Sequence, residues 1–162
     1  MALDLFTPDG PFNSSTTGFT IVNSYSTKGR LNITCSIPPE IIFPASPLPT
    51  LTVGDLNIHH PTADPLRIFK DDKLATSTPY FDRAKELGFT LLNVPGVFTQ
   101  FSMSLIARPC VLDLAFACPL LAPYVSEWSD PLTSTGSDHL PILLRFEALL
   151  FRTPPRPQLG SD

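Results

Sequence analysis

Nineteen prolines in 162 residues set the first limit on what this chain can fold into. A proline has no backbone N–H, and its ring clashes with the preceding turn, so few helices run past one. The prolines punctuate the whole sequence and leave room mainly for short strands joined by turns. Residues 19–25 are rich in β-branched and aromatic side chains and predict a strand. Residues 37–49 read as loop, with space for at most one helical turn. Residues 50–53 predict a short strand ended by Gly54, which delivers Asp55 to a strand terminus. Functional groups often sit at such places.

The clearest helix spans residues 79–87. Thr78 can cap it, Pro79 fits its first position and Gly88 can end it. Phe81, Ala84 and Leu87 then share one face at helical spacing. Further strands are predicted over 89–93, 97–103, 110–117 and 142–146, the second and third paired across the turn at Ala107-Arg108-Pro109. Residues 153–162 turn to Pro, Gly, Ser and Arg and read as a linker or frayed tail. That leaves 1–152 as one domain, long enough to bury about two-thirds of its extended surface. Strands dominate, with one or two helices, and no internal repeat is visible.

Only 16% of residues are charged, against about a quarter in an average soluble domain. The net charge is −4, from 11 Lys and Arg against 15 Asp and Glu. A nucleic-acid binder more often carries a basic footprint, so the balance weighs against tight, autonomous DNA binding. Acidic residues gathered around a cation would account for part of it. The three cysteines, Cys35, Cys110 and Cys118, sit in apolar contexts without zinc-ligand spacing. They predict buried free thiols and a reducing compartment. The amino terminus has no basic start and no sustained apolar run, so it does not read as a signal peptide. No stretch is long enough for a membrane span. The expected location is intracellular, nuclear or cytoplasmic.

Three short motifs carry potential chemistry. In Gly54-Asp55-Leu56-Asn57, an extended chain would project Asp55 and Asn57 to the same side, where a carboxylate and an amide can orient a water. An Asx-turn at a strand end is the equal alternative. His59 and His60 follow at once, and loop histidines are more often simply solvated. Asp113 lies in Val111-Leu112-Asp113-Leu114-Ala115-Phe116. A carboxylate in so apolar a strand needs a partner, and His139 is the best candidate, unless Asp113 faces water at the strand end. In Gly136-Ser137-Asp138-His139, Asp138 could ligate a divalent metal while His139 turns toward a phosphate. Carboxylates, amide oxygens and water suit Mg²⁺.

The order GDLN, then VLDLAFA, then TGSDHLPI resembles the later half of the endonuclease/exonuclease/phosphatase family. GDLNIHHP, LGFTLLNVPG and TGSDHLPI together are similar to the apurinic-type endonuclease domain of LINE-type (non-LTR) retrotransposons, over roughly residues 3–146. The resemblance implies an α/β (α+β) fold, a DNase I-like two-sheet sandwich with outer helices. It also implies a Mg²⁺-dependent site, with Mn²⁺ as the other candidate ion, that nicks DNA. Carried over by motif, Asp55 would position or activate the attacking water and Asn57 would orient the phosphate and Asp55. Asp113 would pair with His139, which contacts or protonates the phosphate oxygen. Asp138 would help hold the metal, and Tyr25 would hydrogen-bond the phosphate, although a core or interface tyrosine fits it nearly as well.

The family's opening strands, one bearing an Asn and the next a metal-binding Glu, have no counterpart here. Glu40 falls at the wrong place in the order and Glu86 lies on a helix. The resemblance is therefore to an amino-terminally truncated copy with an incomplete first sheet, for which weak or absent activity is expected. A non-catalytic remnant or interaction module of the same fold is the second reading, and a phosphatase or other phosphodiesterase of the superfamily is the third. DNA, bound weakly, is the expected partner, with a missing amino-terminal segment or a downstream reverse transcriptase as others.

Overall fold

A computed structural model describes residues 2–6, 18–26, 35–101, 108–128 and 137–146. Five strands form one mixed sheet: β1 (Ala2–Phe6), β2 (Gly18–Asn23), β3 (Thr50–Asp55), β4 (Thr90–Leu91) and β5 (Asp113–Ala117), in the order β1-β2-β3-β5-β4. β2 and β3 run parallel, and the other pairs are antiparallel. Two further strands, β6 (Val125–Trp128) and β7 (Leu143–Phe146), form an antiparallel ribbon. A one-turn helix, α1 (Pro39–Ile42), and a long one, α2 (Asp71–Glu86), complete the described elements with a short 3-10 turn at Ala122–Tyr124.

Alternation along β3 and β5 divides the apolar residues between two faces. On one side Leu114 and Phe116 pack with Ile42, Phe43, Leu56, Tyr80 and Ala84, which places α1 and α2 over that face. On the other, Leu51, Val53 and Ala117 meet Val125, Leu144 and Phe146 of the ribbon, with Phe19 and Phe146 rings 5.7 Å apart. The result is two sheets face to face with helices outside one of them. The three cysteines are buried and free.

The helix departs from the sequence reading. It begins at Asp71 rather than Pro79 and ends at Glu86, with Pro79 inside it. Thr78 is therefore no cap; its hydroxyl donates back to the Leu74 carbonyl at 2.7 Å. Pro79 and Ala75 are both exposed, so the carbonyl that Pro79 leaves without a helical donor has access to water. Asp71 and Asp72 in the first turn match the helix dipole. Gly88 does follow the helix end with φ +71°, and Ala84 is buried with Phe81 and Leu87 packed beside it.

The strands over 89–93 and 110–117 are shorter than expected. The described part of 97–103 makes only isolated bridges, including Gln100 with Cys110. The end of that segment, the start of the turn at 107 and the tail from 153 lie outside the described residues. β1 and β6 were not anticipated. No helix among the described residues is long and apolar enough to cross a membrane.

Candidate active site

The site forms where β3 and β5 end side by side. The two strands pair in register so that Asp55 faces Asp113 directly. Both carboxylates would repel at that spacing without compensating charge. Gly54 permits this approach of strands. Its φ is +144°, and a Cβ there would lie 1.8 Å from the Ser24 carbonyl oxygen. The β2 chain continues beside it, with the Ser24 and Ser26 N–H groups donating to Val53 and Asp55 carbonyls at 2.9 Å. Tyr25 lies between these two contacts and is 70% exposed.

After Asp55 the chain turns rather than extending. The Asn57 N–H donates to Asp55 Oδ1 at 3.1 Å, which is an Asx-turn, and Asn57 adopts φ +51°. The premise that Asn57 and Asp55 project together from an extended strand is thus corrected. Asparagine tolerates the left-handed region, and the Asp55 carboxylate closes the loop locally on the Asn57 N–H. Asn57 is buried, and its side-chain amide donates to the Ser26 carbonyl. It ties the Asp55 loop to the β2 extension.

His139 reaches the same place from the far side. A ladder brings it there: Thr99 and Gln100 N–H groups donate to the Cys110 carbonyl at 3.0 and 2.9 Å, and the Leu140 N–H donates to the Thr99 carbonyl at 2.7 Å. Thr99 is buried, and its hydroxyl oxygen accepts from the Leu112 and Asp113 N–H groups at 2.9 and 3.0 Å. Asn93, also buried, donates to the Asp113 carbonyl at 3.1 Å and accepts from the Ala115 N–H at 2.8 Å. These side chains take the backbone bonds on the edge of β5 that β4 reaches only at Phe116 and Ala117.

The outcome is a short imidazole–carboxylate contact. His139 Nδ1 lies 2.8 Å from Asp113 Oδ2, with the side chains 29% and 17% exposed. Burial opposes the imidazolium, yet the Asp113 hydrogen bond and the charges of Asp113, Asp55 and Asp138 prevail and raise the His139 pKa above its ordinary value. Ligand atoms of Asp55, Asp113 and His139 all lie within 4.8 Å of one another. Two carboxylates and an imidazole at that spacing could hold one divalent cation. An apolar cleft of about 240 Å³, lined by Val53, Gly54, Asp113, Leu140, Ile142 and Leu144, opens against the pair.

Asp138 is placed differently. The Ser137 hydroxyl accepts the His139 N–H at 3.1 Å, within a bend at Ser137 and Asp138. Asp138 is exposed, its Oδ2 lies 3.4 Å from Gln100 Nε2, and it is not part of the three-residue cluster. His60 stacks on Phe81 with ring centroids 3.9 Å apart. Burial lowers its pKa, with Asp82 opposing, which makes it a packing residue.

Asn93 and Thr99 were missed in the sequence. Asn93 sat in view, as the polar residue closing the apolar run of LLNVPG, the usual position for a group that caps a neighbouring strand. Thr99 had no comparable signal.

No protein-family profile matches the chain, and no curated protein matches it in sequence. Solved structures do. An endonuclease domain of TRAS1, a telomere-specific non-LTR retrotransposon, superposes with a TM-score of 0.59 at 16% identity, covering 90% of this chain and 68% of that one. An AP endonuclease from Archaeoglobus fulgidus superposes with a TM-score of 0.55 at 19% identity, covering 79% of this chain and 61% of that one. The chain thus spans about two-thirds or less of these structures. Its strands and outer helices follow the DNase I-like architecture that these endonucleases share, and that is the fold of this protein.

Proposed function

We propose that the protein is a divalent-metal-dependent phosphodiester hydrolase that nicks DNA, an endonuclease of retrotransposon kind. The observation that carries this reading is the His139–Asp113 pair at 2.8 Å with Asp55 beside it, at the strand ends of this fold. The two solved structures described above are endonucleases, which supports DNA as the substrate.

The oxygen donors fit a hard cation: the Asp55 and Asp113 carboxylates would suit Mg²⁺ or Mn²⁺, and His139, held in its charged form by Asp113, would stay outside the ligand set. When bound, such a cation supplies polarisation of the phosphodiester and a more acidic water. Asp55 orients the attacking water and accepts its proton, while the Asn57 N–H holds the Asp55 carboxylate in place. Asp113 fixes the ring of His139 and favours its charged form. His139 then donates to the phosphoryl oxygen on which charge develops, the kind of preorganised donor that contributes most where water is excluded. Tyr25 offers its hydroxyl to the phosphate from the β2 side, with Asn57 as the further phosphate contact. Asp138, exposed at the rim and outside the three-residue cluster, would contribute to holding the cation only as an outer carboxylate.

A site of the same shape that binds without cutting is favoured by one observation. No glutamate belongs to the cluster among the described residues, and both Glu40 and Glu86 are exposed on helices. Supercoiled-plasmid nicking decides between the two. Mg²⁺-dependent nicking by the wild type that disappears in both Asp55→Ala and His139→Ala supports hydrolysis. Nicking that survives both substitutions removes these residues from the chemistry, and no nicking by the wild type favours the binding site.

A further inference from the structure

A second surface adjoins the site. A cavity of about 540 Å³ opens beside the ladder, lined by Asp64, Leu66, Arg67, Ile68, Phe98 and Arg108 among others. That volume falls in the range of pockets that hold nucleotide-sized groups, about 300–1,000 Å³. Leu66 is 83% and Ile68 98% exposed, an unusual concentration of aliphatic surface in so short a loop. Phe98 stands edge-on to Phe101, centroids 6.3 Å apart, and Phe101 is itself exposed.

The surface continues into the active site through the backbone. Phe98 directly precedes Thr99, and the Phe101 N–H donates to the Asp138 carbonyl at 2.7 Å. Arg67 and Arg108 are both exposed, and they place two cations at this cavity in a chain whose net charge is −4. Asp64 is buried there; burial raises its pKa, with Arg67 opposing.

A groove lined by apolar side chains and two guanidinium groups complements a ligand with exposed ring faces and an anionic backbone. Unpaired nucleotides have both. In a duplex the ring faces are stacked inside and cannot reach such a floor, whereas single strands are held by a cationic groove together with apolar and aromatic platforms. We infer that this groove binds a single-stranded stretch of nucleic acid, with Arg67 and Arg108 on its phosphates and Phe98, Leu66 and Ile68 against an unstacked base. The inference rests on the hydrolase reading and deepens it: the substrate class is DNA with an unpaired stretch beside the cut phosphodiester.

Fluorescence anisotropy of the full chain in EDTA tests this, with labelled oligothymidylate of about 12 nucleotides, within the usual footprint of such grooves, and a duplex of equal length. The single strand is expected to bind about tenfold more tightly. Ile68→Ser and Leu66→Ser, at exposed positions that folding does not need, should each weaken single-strand binding about tenfold and leave duplex binding unchanged. Arg67→Ala combined with Arg108→Ala should reduce the slope of log K against log salt by about 1.4, two phosphate contacts on a single strand. Equal affinity for both nucleic acids overturns the inference. So does single-strand binding that Ile68→Ser and Leu66→Ser leave intact, because the surface then offers charge alone or receives a different partner. The assay needs neither metal nor hydrolysis. Nicking without the single-strand preference would therefore sink this inference alone, and the preference without nicking would sink the catalytic reading alone.

Discussion

Two carboxylates flank His139, and the structure treats them oppositely. Asp113 belongs to a platform: its strand pairs with β3, its N–H is taken by Thr99, its carbonyl by Asn93 and its Oδ2 by the imidazole. Asp138 belongs to a rim. It is exposed, and its Oδ2 approaches Gln100 Nε2 at 3.4 Å. Adjacency in sequence favours Asp138, whereas the partner that His139 meets lies 26 residues earlier. A reactive imidazole takes its orientation from the group that is itself held rigidly, and proximity along the chain supplies no rigidity.

The most severe way to break this contrast is to remove each carboxylate. Asp113→Ala should reduce the nicking rate about 10²- to 10⁴-fold, the usual worth of a positioned acid–base group, and Asp138→Ala about tenfold or less. Equal losses in plasmid nicking would erase the distinction and make Asp138 a full member of the centre.

The platform should also be the less forgiving part in folding. Gly54→Ala places a methyl group against the Ser24 carbonyl and should destabilise by more than about 3 kcal/mol, as strained backbone positions do. A urea-denaturation midpoint unchanged by that substitution would contradict the close strand approach. Asn57→Ala removes the donor to the Ser26 carbonyl, leaving a buried acceptor, and should cost about 1–3 kcal/mol in the same assay.

The smallest effect is electrostatic. The folded pKa of His139 is raised, so the charged form is the one that folding favours. Its contribution is therefore fully present below the unfolded pKa of about 6.5 and is lost as pH rises through the folded pKa. The stability gap between wild type and His139→Gln should shrink on going from pH 6 to pH 8. A gap that widens would mean that burial outweighs Asp113, Asp55 and Asp138.

The residues differ in how plainly the sequence announces them. Asp55, Asp113 and His139 were legible because a carboxylate after an apolar run and an Asp-His dipeptide before a strand are unusual patterns with few bland explanations. The proline-driven expectation of short strands held, and so did the two-sheet class. The helix start did not. A proline that opens a helix and one tolerated inside it look the same locally, and only the exposure of Pro79 and Ala75 separates them. At Asn57 the sequence left two readings open, since an Asx-turn and an extended strand share the spacing Asp-x-Asn, and a positive φ selects the turn. Thr99 was invisible because its service is to the backbone of residues that approach it only in the fold.

The central claim is that Asp113 and His139 act as one unit in cutting a phosphodiester bond. A double-mutant cycle on the Mg²⁺-dependent nicking rate tests it most directly, with Asp113→Asn, His139→Gln and the two combined. If the pair is one unit, the double variant is slower than the worse single variant by no more than about twofold, as residues acting together are non-additive. A double variant whose loss equals the product of the two single losses would show independent residues and contradict the account.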